Sequence, residues 1–167
     1  FGAVARRVGE IARKGFGMKI LACDPFVPAA KMKEAGAEAA PLPAIFEKSD
    51  YVSLHVPLVK ETERSITYDL MKRMKKNAAL INTARAEVVD EAGLLKIYAE
   101  RPDIKYASDI TPANQKEMVA CDGNRCFFTP KKMGAQTSEA NFNAGVAAAK
   151  QIIAFFEKGD VTYQVNK

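Results

Sequence analysis

The amino-acid sequence predicts an α/β protein organised on a doubly wound parallel sheet, and three observations predict it. Short uncharged apolar runs such as Ala78–Ile81 read as strands buried on both faces. These runs alternate along the chain with segments of helical spacing, the pattern of parallel strands joined by crossover helices. At the amino terminus a glycine, a helix, a strand and an aspartate follow one another, with Gly2 and Asp24 about 20 residues apart. That order is the second half of a dinucleotide-binding βαβ unit. The predicted class is therefore a Rossmann-type sheet whose first strand, with the first glycine of the motif, would lie ahead of Phe1.

Composition bounds the reading. The chain has 167 residues, 48% of them hydrophobic, which suits one ordinary domain with a real core. No apolar run approaches the roughly 20 residues of a membrane span, and the amino terminus does not read as a signal peptide. Three cysteines (Cys23, Cys121, Cys126) without a CxxC pair, and one histidine, argue against a disulfide framework and against a zinc or other metal site. Reduced thiols and a cytoplasmic location are the expectation. The net charge is +5 and the pI about 9.1. The basic residues are spread over several predicted helices and mixed with acids, so nucleic acid is not the expected partner. The densest cluster, Lys72, Arg73, Lys75 and Lys76, lies around one helix end, where cations suit the dipole. A mildly basic surface also suits small anions.

In chain order, Val4, Val8, Ile11 and Ala12 give the first helix its apolar positions, with Gly15 expected to close it. Met18 to Cys23 reads as a strand ending in Asp24-Pro25. Gly2 would let the backbone approach a pyrophosphate, and the helix start at Ala3 and Val4 would face its charge. Asp24 would accept hydrogen bonds from ribose hydroxyls. Residues 30–35 and 43–47 read as short helical turns, and Tyr51 to Leu54 as a strand. A helix near Tyr68 to Met74 leads to the Ala78–Ile81 strand, which stops at Asn82-Thr83. Asp90-Glu91 starts another helix, running to about Arg101 with the stripe Leu94, Leu95 and Tyr98. Lys105 to Ile110 reads as a strand carrying Asp109. Thr137 or Ser138 can cap a last long helix with the stripe Phe142, Val146, Ala149, Ile153 and Phe156, ended by Gly159.

Arg85 lies just past the carboxyl end of a strand, where open α/β sheets place their ligands. A guanidinium there can hold a planar anion through two parallel hydrogen bonds. An isolated arginine is more often a surface ion pair. The wording around this one argues otherwise: Asn82-Thr83-Ala84-Arg85 followed by Val88-Val89-Asp90-Glu91 resembles the substrate-arginine segment of the D-2-hydroxyacid dehydrogenases. The resemblance runs from Phe1 to Lys167, covers the later part of such an enzyme, and is greatest to a lysine-bearing subgroup acting on 3-phosphoglycerate.

That resemblance implies a residue-by-residue site. It implies NAD as cofactor, with Gly2, Ala3, Val4, Asp24 and Pro25 among the residues that hold it. His55, Val56, Pro57 and Thr62 match the family's cofactor-facing loop. Thr83, Ala84 and Arg85 match its substrate-arginine segment, and Asp109 lies near the nicotinamide. Two departures stand out. Counting without gaps, Asn114 occupies the place of a glutamate that orients a catalytic histidine, and Lys132 the place of that histidine. Anchoring on Thr129-Pro130 selects Lys131 instead; the ungapped count also brings Gly134, Thr137 and Glu139 into place. A free lysine has a pKa near 10.4, which desolvation and nearby cations lower and a carboxylate partner raises. A neutral Asn114 is thus consistent with a lysine base. The implied organisation is a dinucleotide-binding domain over 1–135 and, over 136–167, a long helix and tail returning to a substrate domain. The implied function is NAD-dependent oxidation of 3-phospho-D-glycerate or a related D-2-hydroxyacid, opening the phosphorylated route to serine, by a homodimer. This chain alone would be inactive. The alternative is a dinucleotide-sensing regulator on the same fold.

Overall fold

The structure, a computed structural model, describes residues 1–130, 134 and 137–166. It divides into two compact units, Phe1–Lys131 and Lys132–Lys167. The first unit runs α1 (Ala3–Phe16), β1 (Leu21–Ala22), α2 (Ala29–Glu34), β2 (Glu38–Ala39), α3 (Leu42–Lys48) and β3 (Tyr51–Leu54). It continues with α4 (Tyr68–Lys72), β4 (Ala79–Asn82), α5 (Glu91–Glu100), β5 (Lys105–Ser108), α6 (Gln115–Asp122) and β6 (Cys126–Phe128).

All the strand pairs are parallel, as the alternating pattern predicts. They form two sheets: β1 with β2, and β3-β4-β5-β6. In the doubly wound order 3-2-1-4-5-6 these are the strands on either side of the first one, so the break between β1 and β3 falls where that strand belongs. Each sheet has its own core. Val52, Leu54, Leu80 and Tyr106 from the larger sheet meet Phe46, Met71, Leu94, Ile97, Tyr98 and Met118 from the helices. The smaller core is Ala22, Met32 and Ala37. The apolar positions Val4, Val8 and Ile11 of α1 remain exposed, and Gly9 is its buried residue.

Several boundaries differ from the sequence reading. Gly15 does not close α1; the helix continues to Phe16, and Gly17 takes the left-handed conformation at φ 65° that closes it. Its amide and that of Met18 bond back to Arg13 and Ala12. The Met18–Cys23 strand shrinks to two residues, the length over which β2 offers a partner. The strand at Lys105 stops at Ser108, whose hydroxyl accepts the Ile110 amide at 3.1 Å and turns the chain out of the sheet. The helix at Tyr68 ends at Lys72. α5 lies close over the head of α4 because Gly93 has no side chain: a Cβ there would come within 2.6 Å of the Asp90 carboxylate and 3.0 Å of the Tyr68 backbone.

Two arginines fasten the far ends of these helices. Arg101, at the carboxyl end of α5, forks onto Asp103 at 2.8 and 2.7 Å and donates to the carbonyls of Lys72, Met74 and Lys75 after α4. Arg125 donates to the carbonyls of Tyr98, Arg101 and Ile104 and lies 3.9 Å over the Tyr98 ring.

The second unit is dominated by α7 (Ser138–Lys158). Thr137 supplies the cap, its hydroxyl accepting the Ala140 amide at 3.0 Å, and Gly159 closes the helix at φ 63°. No described helix is long and apolar enough to cross a membrane.

Candidate functional site

Register builds the site. Leu54, Asn82, Ser108 and Phe128 stand opposite one another across β3, β4, β5 and β6. The next residue on each strand, His55, Thr83, Asp109 and Thr129, therefore lies in one row along the carboxyl edge of the sheet. Arg85 follows two residues beyond Thr83, exposed, with extended backbone and a guanidinium Nη1 that donates to the Ala84 carbonyl at 2.8 Å.

The head of α1 comes to the same region. Asp24 accepts the Phe26 amide at 2.8 Å and lies beside the Phe1 backbone nitrogen. Burial pushes the His55 pKa below the ordinary histidine value. Its Nε2 shares a 2.9 Å hydrogen bond with Ser53 Oγ. Asp24 and the start of the chain are thus neighbours, while Val56, Pro57 and Pro25 are exposed. Thr62 turns inward instead. Its hydroxyl donates to Pro57 O at 2.7 Å and accepts the Val59 amide at 2.9 Å, closing the loop on itself.

NAD can be tested against this frame. No side chain caps the amino terminus of α1, its first turn carries no acid, and a Cβ at Gly2 would meet nothing within 4 Å. Ala3 and Val4 therefore present free amides beside open space, the setting a pyrophosphate needs. The residues fit the cofactor.

Asn114 sits ahead of α6 and is tied to α5. Its Nδ2 donates to Glu91 O at 2.6 Å, while the Glu91 carboxylate accepts the Ala113 amide at 3.1 and 3.2 Å. Asn114 Oδ1 is buried and has no hydrogen-bond partner among the described residues. Lys132, expected as the base, and its rival Lys131 lie outside the described residues. Gly134 is described, as an exposed turn in the second unit.

Sequence reasoning missed Asn82, Ser108 and Glu91. Asn82 was read as the point where the strand fails, yet it belongs to β4 and is fully buried. Its side chain supplies the bonds that the end of the strand lacks, accepting the Ala84 amide at 3.0 Å and donating to Arg85 O at 2.9 Å. The signal was present: an amide inside an apolar run has to find partners.

Comparison with known proteins agrees with this geometry. Residues 1–131 match the NAD binding domain of the D-isomer specific 2-hydroxyacid dehydrogenases. The NAD+-bound 3-phosphoglycerate dehydrogenase of Entamoeba histolytica superposes with a TM-score of 0.82 at 43% identity, over 99% of this chain and 52% of that one. A glyoxylate reductase of Korarchaeum cryptofilum is 47% identical over 59% of this chain and 28% of its own length. The D-3-phosphoglycerate dehydrogenase of Bacillus subtilis is 30% identical over 96% of this chain and 31% of its own. The chain thus spans about half, or less, of the proteins it matches.

Proposed function

This chain belongs to the D-isomer specific 2-hydroxyacid dehydrogenase family, as its NAD-binding domain, and from that premise we propose that it serves the NAD-dependent oxidation of 3-phospho-D-glycerate. The observation that carries the reading is the row of His55, Thr83 and Asp109 at the carboxyl edge of the sheet, with Arg85 just beyond it. The choice of substrate is supported by the 43% identity to a 3-phosphoglycerate dehydrogenase over nearly the whole chain.

Bound NAD supplies the hydride acceptor. Arg85 holds the substrate carboxylate in a two-pronged hydrogen bond and orients the carbon that loses hydride. His55, whose pKa burial lowers, would flank bound NAD without exchanging a proton. Asp24 takes the ribose hydroxyls and repels a 2′-phosphate. Lys132, as a neutral amine, accepts the hydroxyl proton. A neutral Asn114 adds no negative charge of the kind that would hold a lysine base as its ammonium.

The test is a panel of D-2-hydroxyacids (3-phosphoglycerate, glycerate, glycolate, lactate) with NAD+ and the complete enzyme. Highest kcat/KM on 3-phosphoglycerate is expected. Preference for glycolate or glycerate would reassign the substrate, and no NADH with any acid would favour a dinucleotide-sensing regulator.

A further inference from the structure

We propose that Asn82 is a positioning residue for Arg85, fixing the peptide on which the guanidinium rests. The inference builds on the reading of Arg85 as the carboxylate-binding group.

Asn82 closes β4 in the interior of the larger sheet, between Leu54 and Ser108, with no exposed surface. Its amide grips the following turn at two points, accepting the Ala84 amide at 3.0 Å and donating to Arg85 O at 2.9 Å. Between those points lies the Ala84 carbonyl, which accepts the Arg85 guanidinium at 2.8 Å. The two grips leave the Ala84–Arg85 peptide one orientation, so the guanidinium is aimed from a fixed base although its side chain is exposed. The backbone carbonyl of Asn82 is held as well. It accepts the Ser108 hydroxyl at 2.9 Å and the Asp109 amide at 3.3 Å. Asn82 therefore sets the Arg85 turn against the exit of β5, where Asp109 stands. A buried amide satisfied on both sides has one geometry, which is what a group that must meet a planar carboxylate requires.

Asn82→Ala removes both grips. Asn82→Ser keeps a hydroxyl short enough for the Ala84 amide and loses the reach to Arg85 O. A misplacement of about 1 Å can cost 10²-fold in such a site. In the complete enzyme Asn82→Ala should raise KM for the hydroxyacid by roughly 10- to 100-fold, with Asn82→Ser between it and wild type. The NADH dissociation constant should stay within about twofold of wild type. Because Asn82→Ala also costs stability, Ile104→Val, a buried change at the opposite end of β5, serves as a control with lowered Tm and unchanged KM. Titrating oxalate into the NADH-bound protein reads carboxylate affinity without turnover, and its dissociation constant should rise in parallel with KM. Unchanged oxalate affinity and KM in Asn82→Ala, or NADH and oxalate affinities falling together, would overturn the proposal. Turnover without any oxalate binding by the wild type would do the same. A wild type that binds oxalate but oxidises no hydroxyacid, with oxalate affinity still lost in Asn82→Ala, would sink the proposed reaction and leave the positioning role standing.

Discussion

Replacing Arg125 by Met should cost the protein about 3.5–5 kcal/mol, although Arg125 touches no part of the candidate site. The side chain is 11% exposed. Its Nη1 donates to Arg101 O at 3.1 Å and Ile104 O at 3.2 Å, and Nη2 to Tyr98 O at 3.1 Å. Each carbonyl loses a charged donor, at about 1 kcal/mol apiece once one guanidinium is shared among them. The cation over the Tyr98 ring at 3.9 Å adds about 0.5–2 kcal/mol. Nothing is counted for the pair with Asp122, which lies in solvent. Methionine fills a similar volume, so no cavity contribution enters. Lysine, a point charge without the fork, should recover only about half of the loss. Urea unfolding followed by circular dichroism reads this directly. With an m-value of about 2 kcal/mol/M, the midpoint of Arg125→Met should fall by about 1.8–2.5 M at unchanged m. A loss below about 1 kcal/mol, or an Arg125→Lys variant as stable as the parent, would refute the clamp.

Three further outcomes are expected. Arg101 holds the Asp103 carboxyl well below the usual carboxylate range, chiefly through its fork of hydrogen bonds. That stability is full above the ordinary value of 3.8 and is lost as pH falls below it. Asp103→Asn should therefore flatten the acid limb of the urea midpoint between about pH 4 and pH 2, and an unchanged limb would exclude the pair as its source. Asp24→Ser in the complete enzyme should narrow the preference for NAD over NADP in cofactor titrations, and equal use of both by the parent would sink the assignment. Lys132→Ala should lower kcat by roughly 10²–10⁴-fold with NADH binding nearly intact, Lys131→Ala should do much less, and Asn114→Glu should move the rising limb of the pH–rate profile to higher pH; the opposite ranking of the two lysines would shift the register by one residue.

What the sequence made legible follows from what local patterns encode. β3 and β4 were readable from short runs of strand-forming residues, α5 from its acidic start and apolar stripe, and α7 because cap, apolar stripe and terminating Gly159 agree. β2 was not, since Glu38 and Ala39 are both exposed and carry no apolar signal; only the facing β1 makes them a strand. α6 was missed because it buries a single residue, Met118. β6 was missed because Cys126–Phe128 is a three-residue run with no room for a period. At the candidate site, the positions of Arg85 and Asp24 just past strand ends were legible. Asn82 and the two arginine clamps were not, because their partners are backbone groups, and backbone groups leave no mark in a sequence.

The break between β1 and β3 bears on how the first unit holds together as a cooperative system. A core of three buried residues under β1–β2 and a far larger one under β3–β6 share no strand ladder, so opening of the smaller part need not drag the larger one with it. β1 and β3 each leave one edge without a strand partner, and the apolar stripe of α1 is exposed. Any extended segment that paired with both edges at once would join the two hydrogen-bond networks and merge two weakly coupled folding units into one. The residues proposed to face the dinucleotide belong to both parts, Gly2 and Asp24 to the smaller and His55, Thr83 and Asp109 to the larger. Cofactor that bridges them would therefore act as a cross-link between two folding units, and its affinity would report how firmly they are coupled.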